Sequence, residues 1–497
     1  MTEAASTTTA VRRGARPAVR PWRRDLGLIV PTVLLIFGAI LDFGAAEAEP
    51  AVFWAVLQCA WAGALFFFAA GADRPIRAPV LQVAAAVLFV LLLAWLVVAT
   101  LPLGGLGPFH PAPAWDLAGG DGALSIAPAA TRIEALKLLG LGAIFCCGWL
   151  LAQDELRADR MATTVLVVGA AYAVWAFAAH FADPTLVLDV HKSYHFDRMT
   201  GSFFSANTAG SLFGVLSALA WVSALRGIRQ HIDAEQGLRM SRRLTGSLVR
   251  MGGATLFWAA MLLTASRAAF AATALCLIVV TTIEIVEGLT RRRAATGKIL
   301  AYTVPAVLGM LVLFTATVGP RILNRVPELG ADGELRGQIF AAYFKAAGHA
   351  PLAGHGLGSF HTLNSALTTP ENFIALWNLG AVHNIYLQWW LEGGAVGFGL
   401  MAAVLACLFV DAAQRRMAGR AGRTRAATAL TVSALLLMHN SVDYSIQVPA
   451  VAAIWALLLG LGAAPSTSRA GAPGRSGSGS GRRRRRLDHD ELKGELA

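Results

Sequence analysis

Charge is what this chain has least of. Only 14% of its 497 residues are Asp, Glu, Lys or Arg, whereas a soluble domain carries about 25%; 56% are hydrophobic and the mean hydropathy is +0.57. That balance excludes a soluble globular fold. Cysteine is scarce as well. The five, Cys59, Cys146, Cys147, Cys276 and Cys407, fall in apolar runs without metal-ligand partners at useful spacing, so neither a disulfide framework nor a metal cluster is implied. The glycine-rich turn Gly354-His355-Gly356-Leu357-Gly358 has no strand before it and no P-loop lysine after it, and so does not support nucleotide binding.

Long apolar sequence is what the chain has in abundance. A helix needs roughly 20 apolar residues to cross a hydrocarbon core about 30 Å thick. Such runs recur near residues 27–46, 51–70, 79–101, 133–152, 162–182, 207–225, 250–266, 268–287, 299–318, 393–412, 426–444 and 446–463. The expected fold is an all-α integral membrane protein of about 12 transmembrane helices, with one large outer loop, 319–392, containing short helices.

Lys and Arg set the orientation. The stretch from Met251 to Ile283 is broken only by Arg267, and arginines cluster on both sides of it. The positive-inside rule puts both its ends in the cytoplasm and makes it a hairpin turning at Thr264-Ala265-Ser266-Arg267. On the whole topology, 33 Lys and Arg fall in the N-terminus, the inner loops and the C-terminal tail, and 8 in outer segments. Both termini are therefore expected in the cytoplasm. The net charge of +12 is spread over loops instead of one folded face, which argues against a nucleic-acid partner.

Three regions follow: a basic cytoplasmic N-terminus over 1–26, a membrane domain over 27–463 and a Ser/Gly-rich tail over 464–497. The apolar run after the N-terminus has full span length and no convincing cleavage site, so it reads as an uncleaved first helix. The tail reads as disordered, with the Arg482 to Arg486 block suited to anionic lipid. Its Asp488-His489-Asp490 has the form of a metal-binding DxD, but in a polar tail of this kind it carries little weight.

The outer segments hold the polar residues of interest, as loops on a rigid scaffold commonly do. Arg198-Met199-Thr200-Gly201 precedes Asn207 at the start of a span; a helix cap with a snorkelling arginine explains these as well as a binding site does. Arg267, at the hairpin turn, either snorkels to the surface or faces a cavity. Arg336 opens a stretch in which Ile339, Phe340, Tyr343 and Phe344 recur at helical spacing, the pattern of an amphipathic helix along the interface, whose polar face Arg336 would also fit. His383 and Asn384 stand just before Tyr386, Trp389 and Trp390, an interfacial aromatic belt.

Taken in order, these features resemble the O-antigen ligase and polymerase family of bacterial membrane glycosyltransferases. The resemblance runs over roughly residues 130–462. It is carried by Arg198-Met199-Thr200-Gly201 with Asn207, by Thr264 to Arg267, by Arg336, by Pro351-Leu352-Ala353-Gly354-His355-Gly356-Leu357-Gly358-Ser359-Phe360, by His383-Asn384 with Gly393-Gly394, and by His439-Asn440-Ser441-Val442-Asp443 with Gln447-Val448-Pro449. It implies a multi-pass protein of the bacterial inner membrane whose site faces the periplasm. There it would move a glycan from an undecaprenyl-diphosphate carrier to an acceptor sugar hydroxyl. In a ligase the acceptor is the lipopolysaccharide core; in a polymerase of O-antigen or exopolysaccharide it is another lipid-linked repeat. By the same resemblance Arg198, Arg267 and Arg336 bind the diphosphate, His383 assists the acceptor, and Asn207, Asn384 and Asp443 support them.

The chemistry suits those residue types. A departing diphosphate gathers negative charge, and arginine offers an always-charged bidentate fork for it. Several fixed cations in a partly dry site can stabilise that leaving group as a metal does elsewhere, so neither metal nor cofactor is expected. A histidine can take the hydroxyl proton near neutral pH, and a single displacement would invert the anomeric carbon. A transporter or flippase would also have many spans, but the long outer loop interrupts the matching halves such proteins show. A purely structural membrane protein would account for the hydropathy and not for this set of residues.

Overall fold

The computed structural model describes residues 22–70, 78–103, 122–233, 241–291, 328–418 and 422–465. Within them the chain runs through α1 (Trp22–Leu41), α2 (Ala48–Ala70), α3 (Val80–Ala99), α4 (Pro128–Leu151), α5 (Glu155–Ala182), α6 (Ala206–Asp233), α7 (Arg242–Leu263) and α8 (Arg267–Arg291). It continues through α9 (Glu328–His349), α10 (Phe360–Leu367), α11 (Phe373–Leu376), α12 (Ile385–Met417), α13 (Arg423–His439) and α14 (Pro449–Ala463). A two-residue hairpin of strands, Leu186–Val187 and Val190–His191, interrupts the loop between α5 and α6.

Eight described helices, α2 to α8 and α12, are long and apolar enough to cross a membrane. α1, over Asp25–Leu41, and α14 are shorter apolar helices. The run at 299–318 lies outside the described residues, as do most of 1–26 and nearly all of the tail. The helix after the glycine-rich loop begins earlier than hydropathy suggests. Asn384 caps α12, its Oδ1 accepting from the N–H groups of Tyr386 and Leu387 at 3.1 and 3.0 Å, so the helix starts at 385 and not at 393. Capping starts other helices too: Asp154 accepts from Leu156 and Arg157 at the head of α5, Ser241 accepts from Leu244 at 3.2 Å at the head of α7, and Pro128 opens α4 where its missing N–H costs nothing.

One end of the bundle is tied by ion pairs. Asp25 of α1 meets Arg157 and Arg160 of α5, Asp159 meets Arg226, and Arg425 meets Glu155 at 2.9 Å. Glu284 of α8 takes Arg229, Arg416 and Arg423, the last two also reaching Glu287. This is the end that the Lys and Arg distribution assigns to the cytoplasm. The opposite end carries the loop between α5 and α6, the turn between α7 and α8, and α9 to α11.

α6 is the central pillar, with 83% of its membrane-length window buried against 22–44% for the other seven. Small residues let its neighbours close in: a Cβ on Gly214 would lie 2.6 Å from Thr273 Oγ1 of α8. α3 is the reverse, 22% buried, presenting Val87, Val90, Leu91 and Val97 outward, as suits a lipid-facing helix.

α12 is broken at Gly394, where φ is 59° and ψ −170°. The glycine-rich loop threads into the break. His355 and Gly356 donate N–H to the carbonyls of Leu391 and Glu392 at 3.0 and 2.8 Å, and Ala395 and Val396 donate to Pro351 and Leu352 at 2.8 and 3.2 Å. The interrupted helix thus recovers on the loop the hydrogen bonds it forfeits internally. Close approach demands glycine on both sides, since a Cβ on Gly354 would sit 2.3 Å from the Glu392 carbonyl oxygen and one on Gly394 2.3 Å from that of Leu352.

Candidate functional site

His383 sits between two anchors at the end of the bundle opposite the ion pairs. Val382 donates its N–H to Gln388 Oε1 at 3.0 Å and Ile385 donates to the Asn440 carbonyl at 2.9 Å. Between them His383 adopts φ 58°, a left-handed conformation that costs a non-glycine residue about 1–3 kcal/mol and recurs at functional sites. Its side chain is 38% exposed, with Nδ1 3.8 Å from Oδ1 of Asp443, an electrostatic contact longer than a hydrogen bond. The ring meets Tyr444 edge-on, centroids 4.9 Å apart.

Asp443 is the buried hub, its side chain 1% exposed. Asn207 Nδ2, on the first turn of α6, donates to Oδ1 at 3.5 Å, and His439 Nε2 faces Oδ2 at 3.6 Å. His439 is fixed in turn by Ser211 Oγ, 2.7 Å from its Nδ1, and Ser211 by Ser445 at 2.7 Å. Asn440 completes the support, accepting from the Ile446 N–H at 3.0 Å. Burial pushes the Asp443 carboxyl up, but the His383 and His439 imidazoles and the Tyr444 N–H prevail and hold it below the usual carboxylate range.

The arginine loops join the same helix end. The Met199 N–H donates to the Leu263 carbonyl at 3.0 Å, hanging the Arg198 loop on the α7–α8 turn that Arg267 closes. Gly201, at φ 58°, is required there because a Cβ would lie 2.3 Å from the Tyr172 hydroxyl. Ala265, at φ 53°, makes the turn, and Ser266 presses against α6 at Gly210, 3.0 Å from where a Cβ would stand. Arg267 therefore begins α8 about one turn along α6 from Asn207. Arg198 is 24% exposed, 4.0 Å from Asp197, while Lys192 donates to its carbonyl at 2.8 Å.

The structure thus brings Asn207, His383 and Asp443 into contact and sets the loops of Arg198 and Arg267 beside them. Asn384 is engaged in capping α12. Arg336 lies on α9, and its side chain is outside the described part of the structure. Three neighbours were given no role from sequence: His439, Tyr444 and His195. The i, i+4 spacing of His439 and Asp443 was a readable signal for the first; for the other two there was none. His195, at φ 61°, accepts the Ala206 N–H on Nδ1 at 3.4 Å. Burial first, and the charges of Arg198 and Lys192 next, hold its imidazole below the ordinary histidine range.

An apolar cavity of about 1170 Å³ adjoins this cluster. Its wall runs from Tyr194, Ser205, Thr208 and Tyr444 at the site, past Phe89, Trp389 and Phe398, to Gln82 and Leu408 near the ion-paired end, where Gln82 bonds to Asp411 at 2.8 Å. Glu134, Lys137 and Glu392 add polar groups to it. Among the described residues no group of three or more His, Cys, Asp or Glu is placed to hold a metal.

Fold and site together define a multi-pass helical membrane protein with a polar cluster at one end of the bundle and a lipid-sized apolar cavity leading to it. Residues 252–402 match the family model described as O-antigen ligase. No curated protein matches the chain. The matched stretch contains Arg267, Arg336 and His383; Arg198, Asn207, His439 and Asp443 lie outside it and join His383 only through the fold.

Proposed function

We propose that this protein transfers a glycan from a polyprenyl diphosphate, undecaprenyl diphosphate in a bacterial inner membrane, to an acceptor sugar hydroxyl on the periplasmic side. The observation that carries the reading is His383 beside buried Asp443, packed on Tyr444, which lines the apolar cavity, and next to the Arg198 loop and the turn at Arg267. With Nδ1 turned to the Asp443 carboxylate, Nε2 is left to accept the acceptor's proton, the division of labour by which a carboxylate orients a histidine base. The acceptor oxygen forms its bond to the anomeric carbon, the carbon–oxygen bond to phosphate breaks, and the electron pair leaves on the diphosphate. That single displacement inverts the anomeric centre and needs no metal. Arg198, Arg267 and Arg336 take the charge that grows on the leaving group, while the cavity shelters the polyprenyl chain.

The acceptor in this reading is the lipopolysaccharide core, as in a ligase; a polymerase would run the same chemistry on a second lipid-linked repeat. The test is transfer by purified protein in nanodiscs, supplied with undecaprenyl-diphosphate glycan and either acceptor, in EDTA. Product on lipopolysaccharide core is expected. Product only with lipid-linked repeats would make the protein a polymerase, and no product with either acceptor would overturn the reading.

A further inference from the structure

The diphosphate has two phosphates, and the residues assigned to it above are all long cations. The first turn of α6 offers a different kind of donor. Ser205 caps this 28-residue helix, its Oγ accepting the Thr208 N–H at 3.4 Å and its carbonyl the Ala209 N–H at 3.2 Å. The positive end of a helix of this length favours an anion. Thr208 supplies a second, independent observation. It belongs to the cavity wall, is 1% exposed, and its hydroxyl has no hydrogen-bond partner among the described residues. Thr264, Thr273 and Thr281 instead bond back to their own helices' carbonyls at 2.7 Å. A buried hydroxyl left unpaired is destabilising, and a ligand donor or acceptor in the cavity would remove that cost.

His195 points to the same chemistry. Because its Nδ1 accepts the Ala206 N–H, its proton resides on Nε2, and burial first, then the neighbouring Arg198 and Lys192, favour the neutral ring. It is a neutral N–H donor held by a strained backbone at the end of α6. Two carboxylates act on this ring: Asp197 is exposed beside Arg198, and Asp443 is occupied by Asn207, His383 and His439. Ser205, Thr208 and the adjacent Tyr194 stand where the apolar wall gives way to polar side chains, the place where a lipid tail lying in the cavity would end in its first phosphate.

We propose that the N-terminal turn of α6, through Thr208 and His195, is a subsite for the phosphate bonded directly to the polyprenyl chain, leaving the distal, sugar-bearing phosphate to the arginines. This rests on the reading of the donor as a polyprenyl diphosphate and divides its two phosphates between two sets of groups. The proximal phosphate is held by neutral donors and a helix dipole, and the distal one, where charge grows during transfer, by full cations.

The experiment measures binding of undecaprenyl monophosphate, undecaprenyl diphosphate and inorganic phosphate to the full chain in nanodiscs. The wild type should bind both lipids and bind inorganic phosphate far more weakly, because the cavity supplies the tail's share of affinity. Thr208→Val should weaken the monophosphate about tenfold or more, as expected for loss of a hydrogen bond to a charged group, and Thr208→Ser should restore it. Arg267→Ala should change monophosphate binding less than about twofold while weakening the diphosphate markedly. His195→Asn, which keeps an acceptor for Ala206 and removes the Nε2 donor, is the second variant should Thr208→Val not fold, and it should weaken the monophosphate likewise. If folded Thr208→Val and His195→Asn bind the monophosphate as the wild type does, the subsite is wrong while the donor assignment stands. If the wild type binds neither lipid and transfers nothing, the donor assignment fails and the subsite with it.

Discussion

Nδ1 of His383 lies 3.8 Å from Oδ1 of Asp443, a carboxylate in the turn after α13 that is buried against Asn207 and His439. One residue therefore has a face for substrate and the other has none. In the proposed reaction the exposed imidazole meets the acceptor hydroxyl, and the buried carboxylate acts through it.

That division predicts different defects. His383→Ala should lower transfer by roughly 10²- to 10⁴-fold, the usual worth of a general base, with donor affinity nearly intact. Asp443→Asn keeps shape and removes charge; transfer should fall about 10²-fold or more because the ring loses its orienting partner. Single-turnover rates set beside donor binding check both, and full activity in either variant would remove that residue from the mechanism.

Fork geometry separates the arginines from mere positive charge. Arg198→Lys and Arg267→Lys should recover only part of what the alanine variants lose, since an ammonium keeps the charge but cannot grip two phosphate oxygens at once. Rates across this set, measured at two salt concentrations, distinguish the cases. Full recovery by lysine would mean that charge alone matters there.

The junction of Gly354 and Gly394 has a purely structural forecast. Gly354→Ala places a methyl group against the Glu392 carbonyl, and Gly394→Ala places one against that of Leu352, each 2.3 Å away at the backbone. Each should destabilise the protein by about 1–3 kcal/mol or more, seen as a lower melting temperature in detergent. An unchanged melting temperature would show that loop and helix break are not locked together.

Acid should loosen the same junction. Buried His355, whose Nδ1 lies 3.0 Å from the Leu391 carbonyl oxygen, has its imidazole held below the ordinary value of 6.5, by burial first and then by His349. The unfolded chain thus binds a proton more readily than the folded one, so stability is fully present above pH 6.5 and is lost as pH falls through the lower folded value. Melting temperature should drop between neutral pH and about pH 5, the region just below the ordinary histidine range. His355→Asn, which retains a donor at the Nδ1 position, should flatten that dependence; an equally steep loss in the variant would assign the effect to other groups.

Hydropathy and charge were legible in the sequence because they act locally and along the chain. Apolar runs of membrane length determine helices wherever they occur, and eleven of the twelve runs coincide with described helices, the twelfth lying outside the described residues. The arginines that orient the bundle are largely those that later pair at its one end, among them Arg157, Arg226, Arg416 and Arg425. Glycine motifs were visible as motifs, yet nothing local says that Gly354 requires Gly394, because the need arises only where two backbones meet. The same holds at the site. Asp443 reaches His383, Asn207 and His439 from separate elements, and an i, i+4 pair or a lone histidine has no defined partner until helices cross. Thr208 is one threonine among many in the sequence. Only packing places it in a cavity wall with its hydroxyl unpaired among the described residues, because burial and hydrogen-bond satisfaction are properties of the assembled bundle and not of any segment in it.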